Sequence, residues 1–354
     1  MNANTTVAVP ADQLAALVRR IFVGAGLSEG AAQTVANGLV DADLEGLASH
    51  GVMLVDMYVD RIQAGSVSTE ESGTVVSDKN AAVVLDAGHA LGHLTGDQAI
   101  ELAIDRARTY GAGIVAVRHG FHFGTARRYA VHAANEGCIG IVACNTRPLM
   151  PAPGGAERVV GNNPLSIAVP TNGPIPLVLD MATSEAAMGK IRMAEKQKKP
   201  IPTGWAVDSQ GAATTDPAAA IAGMLLPTGG PKGFGLALLV DLMCGLLSGG
   251  ATGRQVLPLY GDFSKPYDCS HIFIAIDVAH FGDTAAFRSA AAATAEQIRS
   301  GQRAPGVDQL FTPGEPEWRN RERAQGQLKL APAVVEMLTR YATKLGVSPA
   351  PFPS

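Results

Sequence analysis

Ile114-Val115-Ala116-Val117-Arg118-His119-Gly120-Phe121-His122-Phe123-Gly124 is the stretch on which the reading of this chain turns. Its first four residues are apolar and mostly β-branched, the composition of a buried strand. It then runs into two histidines among glycines. In α/β sheets ligands gather beyond the carboxyl ends of strands, so the second half of the stretch stands where a site is expected. Just upstream, Gly111-Ala112-Gly113 ends a helix over residues 98–110. These glycines precede the strand. A Rossmann site needs strand, then Gly-x-Gly-x-x-Gly, then helix, so that a pyrophosphate meets the helix N-terminus. Gly88, Gly92 and Gly96 are four apart and do not supply it. The chain reads as α/β or α+β without that fingerprint.

Outward from this stretch, helix and strand periods alternate. Residues 11–24 place Leu14, Leu17, Val18, Ile21 and Phe22 at helical spacing behind Pro10. Ser28 caps a second helix over 31–44, and Ser49 a third that ends at Gly65. Strands are read at 81–86, 139–144, 166–170, 177–180 and 272–276, with a helix at 127–135. An amphipathic helix over 333–345 follows Pro332, and the last Pro- and Ser-rich residues read as a loose tail. There is no internal repeat.

The chain has 354 residues, 47% hydrophobic and 17% charged, with a net charge of −4. That supports a sizeable core and gives no basic field to draw nucleic acid or anionic membrane. Lys196, Lys198 and Lys199 read as a solvated face. Cys138, Cys144, Cys244 and Cys269 show no metal or disulfide spacing, which suits a reducing compartment. The first residues lack the basic start and apolar core of a signal peptide. The apolar run 234–247 contains Asp241, is too short to span a bilayer, and reads as a buried helix. A soluble, cytoplasmic protein without nucleic-acid or membrane partners is expected.

Five segments can carry chemistry. Ser49-His50-Gly51 opens the third helix, with His50, Leu54 and Tyr58 on one face at i, i+4 and i+8. A helix N-terminus lowers the proton affinity of a histidine there, which suits a neutral imidazole or a general acid–base. A capping Ser beside a surface His explains the same residues. His119 and His122 lack a carboxylate or Cys at ligand spacing, so a proton shuttle is read there in preference to a metal. Gly154-Gly155-Ala156 and Gly161-Asn162-Asn163-Pro164 can wrap a phosphate or ribose, or be plain turns. Asp180, before Met181-Ala182, can orient a His or cap the next helix. Gly229-Gly230-Pro231-Lys232-Gly233 opens the apolar helix and fits a diphosphate or a structural turn, and it is no Walker sequence.

In this order and spacing the five segments resemble the malate/L-lactate dehydrogenase family that is separate from the Rossmann enzymes, over residues 10–330. That family includes ureidoglycolate, sulfolactate and diketogulonate-type dehydrogenases and the piperideine/pyrroline-2-carboxylate reductases. The resemblance implies an NAD(P)-binding fold of its own and a homodimer. It implies a helical domain from both chain ends (1–75 plus 316–350) around an interleaved α/β domain (76–315). It implies NAD or NADP as cofactor and no metal. Hydride passes between nicotinamide and a small 2-hydroxy or 2-oxo acid, with a cyclic imino acid as the alternative electrophile. A non-catalytic cofactor-binding homologue is the remaining reading.

Residue by residue, Ser49 and His50 match the pair beside the substrate. His122 matches a proton acceptor, and Asp180 an Asp near the nicotinamide that positions or charges the histidine. Thr146, Asn162, Asp180, Met181, Ala182, Lys232 and Gly314 (in Pro313-Gly314-Glu315) fall in cofactor-contacting stretches. The chain also departs from the family. The Arg expected four residues after His50 is Leu54, Glu45 stands where Arg is common, and Arg127 where a small residue is common. Arg147 or Arg127 is expected to grip the substrate carboxylate instead, since a guanidinium binds carboxylate bidentately and Leu does not. Leu54 and Tyr58 are expected to line the substrate.

Overall fold

The computed structural model describes residues 6–352. The chain starts with β1 (Val7–Pro10), α1 (Ala11–Gly24), α2 (Glu29–Leu44) and α3 (Val55–Gln63). There follow β2 (Thr74–Lys79), β3 (Ala82–Asp86), α4 (Gly92–Tyr110), β4 (Ala112–Gly120), α5 (Ala126–Asn135), β5 (Cys138–Cys144), β6 (Leu165–Val169) and β7 (Leu177–Met181). Next come α6 (Met188–Lys196), β8 (Ala206–Val207), α7 (Pro217–Ala222), β9 (Met224–Leu225), α8 (Pro231–Ser248) and β10 (Cys269–Asp277). The chain closes with α9 (Thr284–Arg299), α10 (Glu315–Ala324), β11 (Gln327–Leu330) and α11 (Pro332–Lys344).

Seven strands form one sheet in the order β2-β3-β4-β10-β5-β6-β7. Only β3 and β4 run parallel, joined by the α4 crossover that a parallel pair requires. The other neighbours are antiparallel. The successive parallel crossovers of a doubly wound sheet are absent among the described residues, as the missing glycine fingerprint implies. Alternation along β10 sorts its side chains to two faces. Phe273 and Ala275 pack with α4 and α5, whereas Ile272 packs with Val240 and Cys244 of α8.

A second core lies beside the sheet. β1 pairs antiparallel with β11, Val7 opposite Leu330, which brings the two ends of the chain together. Leu14, Leu17, Ile21 and Phe22 of α1 share this core with Leu338, Tyr341 and Ala342 of α11. Each of the buried Leu, Ile and Phe side chains among these contributes ~1.5–3 kcal/mol. The core also takes Leu91, Phe121 and Tyr267 from the middle of the chain.

Three expectations are corrected. Ser49 does not cap a helix: two 3₁₀ turns, Ala48–His50 and Val52–Leu54, precede α3. The cap comes from α2 instead, where Asp43 Oδ2 accepts the Val52 N–H at 2.8 Å. A Cβ on Gly51 would lie 2.3 Å from that carboxylate, so only glycine lets the turn approach it. The apolar helix α8 runs 18 residues and is buried on one face only. Leu239, Leu246 and Leu247 are 59%, 63% and 58% exposed. By length and composition it could cross a membrane, but Val240, Asp241 and Cys244 fasten its other face to the sheet. The C-terminal segment is docked as far as it is described: Phe352 is buried in the helical core and Arg20 Nη2 donates to the Ser348 carbonyl at 3.4 Å. Residues 353–354 lie outside the described residues.

Candidate active site

The loop after β4 and the turn before α3 meet. Their rings stack, His50 on His122, with centroids 5.5 Å apart and planes 22° apart. Each imidazole is held at Nδ1 by a hydroxyl: His50 by Ser49 Oγ at 3.0 Å and His122 by the Tyr58 hydroxyl at 2.6 Å. Among the described residues the Nε2 atoms have no protein partner, and they are not sealed from solvent. Both rings are recessed, and burial holds both below the usual histidine range. This cause differs from the expected one, because His50 sits in a 3₁₀ turn and not at the start of a long helix. The expected common face is also broken. Leu54 is 2% and Tyr58 0% exposed, so both belong to the core, and Tyr58 reaches the site only through His122.

A third histidine was not expected. His93 lies in the first turn of α4, fully buried, with neither ring nitrogen hydrogen-bonded. Its ring is 6.0 Å from that of Tyr58. A Cβ on Gly38 or Gly124 would come within 2.5 or 2.7 Å of it, so these glycines make its room. Burial first, then Arg128 and His50, push its pKa down to about 3. Nothing in the local sequence announces it, since its enclosure depends on residues 38 and 124.

Asp180 stands on β7 opposite Ser166 and caps no helix. It makes no hydrogen bond to any histidine among the described residues. Its electrostatic neighbours are Arg127, Glu317 and Glu45. The side chain keeps contact with solvent, yet the protein around it displaces enough water to push its pKa up to about 7, against the pull of Arg127. Arg127 is 6% exposed and donates from Nε to Glu45 Oε2 at 2.9 Å. Two of the three departures from the family pattern, Glu45 and Arg127, therefore bind each other. Gly314, at φ +84, allows this corner to close: a Cβ there would meet Val178 at 2.8 Å and Arg127 Nη1 at 3.1 Å. Its neighbour Glu315 is an anchor, bonded to Arg299, Arg319 and Thr312, which together hold its pKa near 2 despite burial.

Arg147 is half-buried and makes no hydrogen bond or ion pair among the described residues. Burial lowers its pKa, Arg158 and Arg192 add to that, and Tyr267 opposes it. Tyr267 packs edge-on against Phe121, which packs against Tyr58, so Arg147 belongs to the surroundings of the histidine pair. Of the two arginines expected to meet a carboxylate, Arg147 is free and Arg127 is engaged.

The expected cofactor stretches converge in part. Thr146 donates from Oγ1 to Asn162 Oδ1 at 3.0 Å and from its backbone to Asn163 Oδ1 at 2.8 Å. The Thr183 N–H, just past Met181 and Ala182, reaches the Asn162 carbonyl at 2.9 Å. A cavity of about 270 Å³ lies between the Gly154-Gly155-Ala156 loop and the N-terminus of α8, lined also by Gly230 and Pro231. Gly154 and Gly230 have positive φ and open space where a Cβ would stand. Lys232 is exposed in the first turn of that helix. A glycine-walled recess at a helix N-terminus suits an anionic diphosphate. A larger cavity, about 400 Å³ between α2, α4 and α5, is lined by charges that satisfy one another. Arg128 pairs with Asp97, Arg321 with Asp41, and His132 with Glu101.

The malate/L-lactate dehydrogenase family profile matches residues 9–339. A malate dehydrogenase of Pyrococcus abyssi is 35% identical over 350 residues, 96% of each chain. An NAD(+)-dependent ureidoglycolate dehydrogenase of Escherichia coli O157:H7 is 34% identical over 93% of this chain and 96% of its own. The structure of the sulfolactate dehydrogenase of Methanocaldococcus jannaschii superposes with a TM-score of 0.92, at 34% identity over 97% and 98% of the two chains.

Proposed function

The chain belongs to the malate/L-lactate dehydrogenase family and is an NAD(P)-dependent oxidoreductase of 2-hydroxy and 2-oxo acids, and from that premise we propose how its residues share the work. The observation that carries the reading is the stacked pair His50 and His122, each held at Nδ1 with Nε2 unoccupied. Two neutral imidazoles side by side can hold an oxygen and move its proton. They cannot both be charged cheaply, since protonating one disfavours the other. Arg147, the unpaired guanidinium, binds the carboxylate that the family Arg would have bound at position 54. Leu54, enclosed in the core, takes no part in that contact.

The glycine-walled recess at α8, Lys232 and the Thr146–Asn162–Asn163 cluster fit a nicotinamide dinucleotide, with the diphosphate at the helix N-terminus. Bound there, NAD or NADP supplies or receives the hydride. Asp180, close to neutral pKa, adjusts the charge of the Arg127 corner beside it instead of acting through a histidine. We also divide the chain into a helical part from both ends and an α/β part between. The four cysteines are free and buried, which supports a reducing, cytoplasmic setting.

We further propose a homodimer covering α8. Leu238, Leu239, Leu242, Met243, Leu246 and Leu247 make an exposed apolar stripe on one side of that helix. An unpartnered patch of this kind marks an interface. Leu246→Glu is expected to give a monomer in native mass spectrometry.

The deciding assay follows NADH and NADPH oxidation with pyruvate, oxaloacetate, phenylpyruvate, sulfopyruvate and piperideine-2-carboxylate. Turnover of a 2-oxo acid supports the reading. Turnover of the cyclic imino acid alone replaces it with imine reduction.

A further inference from the structure

Two hydrogen-bond donors converge on Nδ1 of His122. The Tyr58 hydroxyl lies 2.6 Å away and the Gly124 N–H 3.4 Å away. Tyr58 is completely enclosed, its ring packed among Phe22, Phe121 and His93. A buried phenol that gives its proton to no acceptor loses its hydration without compensation. Among the described residues, His122 Nδ1 is the one acceptor its oxygen reaches. Were the bond reversed, the phenol proton would have no acceptor, and the Gly124 N–H would point at another N–H. Nδ1 must therefore accept, and the ring proton of neutral His122 sits on Nε2. Ser49, by contrast, is exposed, so its hydroxyl can either give to or take from His50 Nδ1 as water permits.

We propose that Tyr58 is a positioning residue that locks His122 as a neutral Nε2–H donor, so that His122 holds the substrate's C2 oxygen while His50 carries the proton. The proposal rests on the oxidoreductase reading. In oxidation, the hydroxyl proton passes to Nε2 of His50, which becomes imidazolium with Nδ1–H on Ser49. A bound nicotinamide would accept the hydride lost from C2, and the new carbonyl oxygen keeps the His122 hydrogen bond. Reduction runs the same transfers backward. Burial, helped by the nearby histidines His50, His93 and His271, keeps His122 uncharged well below the ordinary histidine range. A neutral imidazole donor has no proton to spare, so one histidine of the pair must differ in duty from the other.

The first test is ¹⁵N NMR of the full chain labelled at histidine, with His122 assigned by its loss in His122→Gln. The expected spectrum shows His122 Nδ1 unprotonated and Nε2 protonated from about pH 6 to about pH 8. In Tyr58→Phe both tautomers should appear. A protonated Nδ1 in the natural chain overturns the proposal, and this arm needs no substrate. The second arm uses whichever acid turns over. His122→Gln keeps an N–H at the Nε2 position, so it should lose ~10-fold in kcat yet keep the acid limb of the kcat/KM profile. His50→Gln should abolish that limb. The opposite pattern overturns the assignment. If no acid or imine is reduced, the oxidoreductase reading fails while the tautomer result stands.

Discussion

The imidazole wall and the charged corner solve the burial of polar groups in opposite ways. Around His50 and His122 no formal charge is paired: hydroxyls of Ser49 and Tyr58 hold the rings, and burial keeps them neutral. Around Asp180 the charges are dense: Glu45 on Arg127, and Glu315 between Arg299 and Arg319. The first arrangement leaves one edge of each ring available at little electrostatic cost. The second spends the carboxylates of Glu45 and Glu315 on arginine partners, although Arg127 Nη1 is buried without one among the described residues. Chemistry is expected where partners are few, and rigidity where they are many.

The contrast breaks first at His50. His50→Ala should lower kcat by ~10²–10⁴-fold, the usual worth of a positioned acid–base, while leaving the melting temperature nearly unchanged. A loss below tenfold would move the proton elsewhere. On the other side, Glu315→Ala should leave activity largely intact per folded molecule and reduce stability. Removing this carboxylate from between two arginines should cost about 2–3 kcal/mol, below the ~3–5 for fully buried pairs because Arg299 and Arg319 still touch water. Chemical denaturation measures it. Because Glu315 titrates near 2 when folded and near 4.5 as a free side chain, its contribution is present above pH 4.5 and fades as pH falls toward 2.

Arg147 sharpens the comparison, since it is a charge with the wall's lack of partners. Arg147→Leu should raise KM for the acid ~10–100-fold with a smaller change in kcat, as expected for a lost charged hydrogen bond. An unchanged KM with every acid would take Arg147 out of the site. The smallest effect concerns Asp180. Its pKa is about 7 folded against 3.8 free, so the folded chain binds the extra proton between those values. The stability from this group is full below about pH 4 and is lost as pH rises through about 7. Asp180→Asn should therefore melt progressively higher than the natural chain between about pH 5 and about pH 8. A constant difference would mean that Asp180 is as wet as a free side chain.

The comparison also explains what could be read from sequence. Elements whose periodicity is local were legible: residues 11–24 form α1 as spaced, and the strand behind His119 is β4, longer at both ends. The absence of a Rossmann glycine fingerprint was legible too, whereas the mostly antiparallel pairing of the sheet was not. Contacts made across long separations were not legible. Asp43 as the cap of the 3₁₀ turn, His93 beneath Gly124, and Arg127 spent on Glu45 depend on positions nine to eighty-two residues apart. The same limit misassigned Tyr58: helical spacing put it beside the substrate, whereas the two 3₁₀ turns rotate it behind His122. A periodic rule carries no information about where a regular helix begins when the cap comes from another element.

The pairing of β1 with β11 sets a timetable for biosynthesis. The ribosome releases α1–α3 long before residues 327–344 exist, so the first helices emerge with an apolar flank that has no cover. At ~5–20 residues per second the wait lasts on the order of tens of seconds. The middle of the chain can meanwhile form its sheet, with the N-terminal helices held open beside it. Deletions behind residue 326 would thus leave an early-made half permanently unfinished, which makes this short hairpin of chain ends the last stitch of folding and a natural handle for quality control.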